Sequence, residues 1–325
     1  MSQAVLNELL DVGLRYAPEY DGGLSNHLPM ALGALHALGA DEDRLREFFD
    51  RYAPRLSLCT ESGRTDAAWS DRLGRIDAFA DLLETFRTMT GSEGVAPVLR
   101  RVLPQLMPGV GAAAFHGLIR TAYGLTVGHA GETAAGLAYW ASRYLPLDAP
   151  AAPAADQHDV AAWVGALAAD VACITVEGGL IFERMRVVAN SQAFARHAGR
   201  LRIDEHTLTA LADFAAQRYA VTRNFTVLHL VTSCHAMRVL LPWLDDPRSA
   251  LQAYARAYAA ACIASGIELQ SSPLPGPALS WRQLAQRAVA SNDEHVIKLV
   301  HSCREDAQAY GDGARLQAAL LAVGA

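Results

Sequence analysis

The sequence predicts an all-α protein, a single multi-helix globular unit of roughly a dozen helices. Three observations carry that prediction. Apolar residues recur at helical spacing along nearly the whole chain, with no convincing period-two run. Hydrophobic residues make up 51% and charged residues 19% of the 325, which suits a large buried core and leaves little room for disorder. Capping and breaking residues also punctuate the apolar segments where helices should begin and stop.

Residues 3–16 read as a first amphipathic helix, stopped before Pro18 and the turn Asp21-Gly22-Gly23. Ser25 is expected to cap a helix ending at Gly39, with His27 in its first turn. Asp41 to Tyr52 carries acids at its start and arginine at its end, the polarity that complements a helix dipole. The next twenty residues are poor in large apolar groups and predict a loop anchored by Trp69. Helices follow at about 76–90, 94–107, 110–127 and 131–145, where Pro146 ends the series. The Pro/Ala-rich run 148–156 predicts an exposed connector. Candidate site residues lie on both sides of it, so the expectation is one packed domain over 1–325 with a surface loop. Further helices are expected at 158–171, 180–198, 204–219, 222–242 and 247–266, then, after an irregular loop at 271–277, at 280–290, 293–309 and 312–322.

Bulk properties exclude several functions. A formal net charge of -6 argues against a nucleic-acid partner, which needs basic density. The N-terminal residues lack a basic lead-in and are interrupted by Asn7, Glu8, Asp11 and Arg15, unlike a signal peptide. No apolar run reaches the ~18 residues that span a bilayer, so no membrane partner is expected. Five cysteines without a C-x-x-C pair fit a reducing compartment, and the cytoplasm is the expected location. The run Gly109 to Ala114 matches G-x-G-x-x-A, but it follows Pro108 and a helical segment in place of a strand, so the dinucleotide-binding context is missing.

Lys298 is the only lysine, against twenty-seven arginines. A coding bias towards arginine would explain the background and leave the survivor to chance. The alternative is that position 298 needs an amine. A guanidinium stays charged, whereas a desolvated amine loses its proton and can form a Schiff base or add carbon dioxide to become a carbamate. On a helix, His295 and His301 each lie three residues from Lys298, but on diverging faces, and His295 is the one expected to share its site.

Among eleven histidines, His36, His129, His158, His197 and His206 sit beside small, charged or turn residues and are assigned no role. His116 lies among small residues that would admit a ligand or a second helix, and His229 lies in a strongly apolar segment. A buried histidine taken singly is more often a hydrogen-bonded core residue than a ligand. Four of them, His27, His116, His229 and His295, with a unique lysine beside the last, shift the balance towards a metal site.

At these residues the chain resembles the questin oxidase family. The segments that carry the resemblance are Ser25 to Met30 with Ala37 to Ala40, Phe115 to Arg120, Leu228 to Ser233 and Asp293 to Lys298. Family members oxidatively open rings of anthraquinones and related polyketides, and some are described as Baeyer-Villiger-type and NADPH-dependent. The resemblance implies an iron(II) enzyme using dioxygen, with NADPH as a candidate reductant and an aromatic polyketide as its small-molecule substrate. It implies His27, His116, His229 and His295 as metal ligands with Lys298 as a carboxylated fifth. His235 and His301 stand as alternative ligands or as donors behind them. Arg120, one turn after His116, is the candidate catalytic cation, set to pair with an anionic oxygen or with a buried acid. Phe115, Tyr123, Trp140 and Phe225 are candidates to stack on a flat substrate, with core packing as the other role. Two rival readings remain at this stage: a metal-free Schiff-base enzyme acting through Lys298, and a non-catalytic helical binding protein.

Overall fold

The structure is a computed structural model that describes residues 2–60, 68–147, 155–171, 176, 178–267 and 279–324. Helix α1 (Ser2–Gly13) leads into a hairpin of β1 (Glu19–Tyr20) and β2 (Leu24–Ser25), paired antiparallel around the predicted turn at Asp21, Gly22 and Gly23. Then come α2 (Leu28–Leu38), α3 (Glu42–Tyr52), α4 (Phe79–Glu93), α5 (Val95–Leu106), α6 (His116–Thr126) and α7 (Ala130–Ser142). The second half holds α8 (Val160–Val171), α9 (Ile181–Ala189), α10 (Gln192–His197), α11 (Thr207–Thr222), α12 (Phe225–Leu240), α13 (Pro247–Ala264), α14 (Trp281–Ala290), α15 (Glu294–Tyr310) and α16 (Gly313–Ala322). The all-α expectation is met, with sixteen α-helices among the described residues where about a dozen were expected. One cause of the larger number is local. Ser191 accepts a hydrogen bond from Phe194 N–H at 3.1 Å and restarts the chain, so the expected helix 180–198 becomes α9 and α10. The connector 148–156, apart from its last two residues, and the loop 271–277 lie outside the described residues.

Asp41 caps α3, accepting from Arg44 N–H at 2.9 Å. Ser25 does not cap α2. It belongs to β2, and its hydroxyl bonds Tyr139 OH at 2.8 Å, while Asn26 Oδ1 accepts the Leu28 N–H at 3.0 Å. His27 thereby occupies the helix entry itself, with its ring turned inward.

A larger departure concerns α6, expected from residue 110 and found from His116. Ala113, Ala114 and Phe115 take positive φ values of 46°, 54° and 69°, a left-handed passage without any glycine. Each such residue costs on the order of 1 kcal/mol. The site below explains what this passage positions.

Helix α6 and α7 approach more closely than ordinary side chains permit. A Cβ on Gly117 would fall 2.5 Å from Trp140 Cα, and one on Gly124 would fall 2.5 Å from Thr133 N. Across the same contact Arg120 and Glu132, both buried, form a two-pronged pair at 2.8 and 3.0 Å. This removes Arg120 from the role of a cation facing substrate, because its guanidinium is committed to Glu132 and does not border the cavity described below. Of the two alternatives for Arg120, the structure takes the buried acid.

Helix α12 runs through the middle of the packing and touches α6, α11, α13 and α15. With the following turn it gives a 19-residue stretch, Phe225–Trp243, apolar and long enough to cross a membrane, which the sequence reading had not singled out; 72% of its 18-residue window is buried inside the molecule. Val227, Leu230, Cys234, Met237 and Leu240 on it are at most 1% exposed, as a core helix requires.

Candidate metal centre

The four histidines singled out in the sequence meet, although they come from four separate segments. His27 enters α2, His116 opens α6, His229 lies one turn into α12, and His295 lies at the start of α15. Ring centroids are 4.7 Å apart for His27 and His116, 4.6 Å for His27 and His295, and 4.9 Å for His116 and His229. One ligand atom from each of His27, His116 and His229 lies within 4.8 Å of the others, and the same holds for His27, Glu294 and His295.

The hydrogen bonds orient these rings. His116 Nδ1 lies 2.5 Å from the carbonyl of Ala113, and His229 Nδ1 lies 2.8 Å from the carbonyl of Phe225. A carbonyl only accepts, so each Nδ1 carries the proton and each Nε2 presents a lone pair. The left-handed passage through residues 113–115 is what sets the Ala113 carbonyl beneath the His116 ring. Its backbone cost therefore fixes the tautomer of the His116 imidazole.

A conflict follows at His27, whose Nε2 lies 2.7 Å from His116 Nε2 while its Nδ1 lies 3.6 Å from Glu294 Oε1 with no hydrogen bond. With the proton on Nδ1, two lone pairs face each other at 2.7 Å. With it on Nε2, a lone pair faces a carboxylate. Protonating both nitrogens would relieve the clash, but burial, followed by the charge of Lys298, holds the His27 pKa well below the ordinary histidine value. A cation held by the two imidazoles would resolve it.

Lys298 is fully buried, and its Nζ has no hydrogen-bond partner. Burial pushes its pKa down to about 7, opposed by the charges of Glu294 and Asp293. Its charge in turn lowers the pKa of all four histidines, which places it beside the cluster. Burial is the larger cause at each ring, with His116 brought to about 3. The imidazoles are thus neutral near pH 7, as metal ligands must be. His295 Nε2 is a further buried nitrogen without a partner. Neutral imidazoles, an unpartnered buried amine and one adjacent carboxylate form a donor set that fits a divalent first-row metal.

A cavity of about 330 Å³ opens onto the cluster. His27, His116, His229 and His295 line its floor, and Tyr20, Arg55, Phe182, Arg184 and Phe225 contribute to its walls. Phe225 is 54% exposed, and its ring stands edge-on to both His229 and His295 with centroids 4.8 Å away. Of the four aromatic candidates only Phe225 borders the cavity. Phe115 packs on Tyr254, Trp140 donates to the Gly109 carbonyl, and Tyr123 bonds His301 at 3.0 Å, all three inside the core.

His235 and His301 form a second buried layer away from the cavity. Their rings lie 5.3 Å apart, with Tyr123 on His301 and with Asp306 and Arg238 beside His235. Neither belongs to the four-histidine cluster or to the cavity lining. Sequence reasoning missed Glu294, which reaches His27 at 3.6 Å and Arg55 at 3.7 Å. Its spacing of four residues from Lys298 on one helix was the available signal. Arg55, Phe182 and Arg184 carried no comparable signal, because only folding brings them to the cavity.

A comparison with curated proteins finds no match to the chain. A family model described as questin oxidase-like matches residues 24–303, a span that starts at the hairpin's second strand and contains all four histidines and Lys298. The chain therefore belongs to the questin oxidase-like family of oxidoreductases.

Proposed function

We propose that the protein is a non-heme iron(II) oxygenase that uses dioxygen to cleave or hydroxylate a ring of a polycyclic aromatic polyketide. His27, His116, His229 and His295 would hold the metal, with Lys298 as a carbamate completing the set. The observation that carries this reading is the 2.7 Å approach of two Nε2 atoms, of which His116's is unprotonated, in a buried cluster beside an unpartnered amine. Iron(II) would supply the one-electron reactivity towards dioxygen that no side chain here possesses.

The chain's own residues have definable tasks. Ala113 and Phe225 hold two imidazoles in the tautomer that presents Nε2. Lys298, with its pKa near 7, is an amine ready to capture carbon dioxide. The nitrogen–carbon bond forms, one proton leaves the nitrogen for solvent, and the long side chain gains an anionic oxygen ligand. Glu294 offers its carboxylate to His27 Nδ1 and would hold that ring's proton away from the metal. Phe225, Phe182 and the hairpin residues Tyr20 and Leu24 give the cavity flat apolar walls suited to a fused-ring substrate.

A Schiff-base role for Lys298 fits less well. The amine does not border the cavity, whereas all four histidines do. Metal analysis of protein purified without oxygen, joined to oxygen consumption with a hydroxyanthraquinone, tests the proposal. One iron per chain and substrate-dependent uptake of oxygen are expected, and NADPH consumption in the same assay separates monooxygenase from dioxygenase chemistry. Protein free of iron that traps a carbonyl ligand on borohydride treatment would replace this reading with the Schiff-base one.

A further inference from the structure

The cavity carries one cation that nothing in the described residues neutralises. Among the charged residues lining it, Arg55 lies 3.7 Å from Glu294 and also donates to Tyr20 OH at 2.8 Å. Glu294 is the only carboxylate of the lining and is shared with His27. Arg184, on α9, has no carboxylate within ion-pair distance among the described residues. Among the described residues its side chain donates one hydrogen bond, to the neutral hydroxyl of Thr226 at 3.3 Å, and its Nε is buried with no partner. It shares the cavity lining with Leu180, Ile181, Phe182 and Phe225, apolar groups that offer a guanidinium little compensation.

Thr226 is the neighbour of Phe225 and lies three residues before His229. The guanidinium therefore sits at the edge of the aromatic wall, one helical turn from the floor. A flat ligand resting against Phe225 with a carboxylate on its rim would meet it. Guanidinium and carboxylate match in shape as well as charge, and a hydrogen bond between charged partners in a water-poor cavity is among the stronger ones available.

We propose that Arg184 makes this cavity selective for aromatic ligands bearing a carboxylate, so that the substrate is an aromatic acid and not its neutral ester or decarboxylated form. The inference rests on reading the cavity as the substrate pocket, but not on the metal. The carboxylate compensates a charge that has no counter-ion among the described residues, whichever ion occupies the histidine cluster. A neutral analogue leaves the guanidinium as it is and gains only apolar contact.

The test uses 9,10-anthraquinone-2-carboxylate and its methyl ester as probes, with binding followed by calorimetry on the full chain as purified and again after chelation of metal. Wild type should bind the acid roughly 10- to 100-fold more tightly than the ester, the range expected for a hydrogen bond between charged groups. Arg184→Gln should bring the two ligands to equal affinity without weakening the ester, and Arg184→Lys should restore part of the preference. Circular dichroism and thermal melting of both variants, matched to wild type, exclude misfolding as the cause. Equal binding of acid and ester by wild type, or binding of neither, overturns the proposal. So does a preference that survives Arg184→Gln and vanishes on chelation, which would put the anion on the metal. Protein that holds no iron as purified and takes up none when iron(II) is supplied, yet shows an Arg184-dependent preference, would sustain this inference while defeating the iron reading.

Discussion

Replacing Lys298 by methionine should make the metal-free protein more stable while destroying its capacity to hold metal. The amine is wholly buried and unpartnered, and burial lowers its pKa from the ordinary 10.5 to about 7. At ~1.4 kcal/mol for each tenfold change in proton affinity, the charged form is disfavoured by about 5 kcal/mol in the folded state. Below pH 10.5 the unfolded chain keeps the ammonium, whereas the folded chain sheds it until pH 7. The folded state thus binds fewer protons between those values, and the stability contributed by the neutral amine is lost as pH falls from 10.5 to 7. Methionine, of similar length and uncharged, removes this penalty. In metal-free buffer purged of carbon dioxide, denaturant titrations should show Lys298→Met about 4 kcal/mol more stable than wild type at pH 7. The gain should approach 5 kcal/mol at lower pH and vanish near pH 10.5. With iron(II) and bicarbonate the order should narrow or reverse, since only wild type gains from ligand binding. A variant less stable than wild type without metal, or one that keeps stoichiometric iron, would refute the reasoning.

Three other outcomes follow from the same geometry. The four imidazoles are held neutral, with His116 at about 3, so the unfolded chain takes up protons that the folded one refuses once pH drops below 6.5; metal-free protein should lose up to ~1.4 kcal/mol per pH unit from His116 alone between pH 6.5 and 3, as denaturation at graded pH would show. Ala114→Gly relieves a φ of 54° and should leave stability unchanged or raise it by up to about 1 kcal/mol, whereas Ala112→Gly, outside the left-handed passage, should lower it. Arg120→Ala strands the buried Glu132 and should cost about 3–5 kcal/mol in thermal or denaturant unfolding; Arg120→Met combined with Glu132→Leu should recover much of that, and metal content should follow the folded fraction in both.

What the sequence showed and what it hid divide along physical lines. The helical class followed from apolar periodicity, because burying one face of each helix is the dominant local demand, while the number of helices exceeded the dozen expected. Boundaries failed where tertiary contacts outweighed local preference. The start of α6 moved to His116 because Ala113, Ala114 and Phe115 adopt a conformation that no propensity favours, held by Phe115 in the core and by the close seat of Gly117 against Trp140. The four histidines and Lys298 were legible because buried imidazoles and a solitary lysine are unusual in apolar helices. Arg120 stayed between two roles in the sequence because its partner, Glu132, comes from the next helix, and an arginine next to a candidate ligand looks the same whether it faces substrate or an acid. Arg184 and Arg55 were invisible for a related reason, since their meaning depends on which cations find carboxylates after folding.

The most direct test of the central claim is a crystal structure of anaerobically purified, iron-loaded protein, with diffraction data collected on both sides of the iron absorption edge. The account predicts one anomalous peak among the facing nitrogens of His27, His116, His229 and His295, and density for a carboxylate extending from Lys298 Nζ towards it. A cluster without a peak, its rings hydrogen-bonded to one another or to water beside a bare amine, would contradict it.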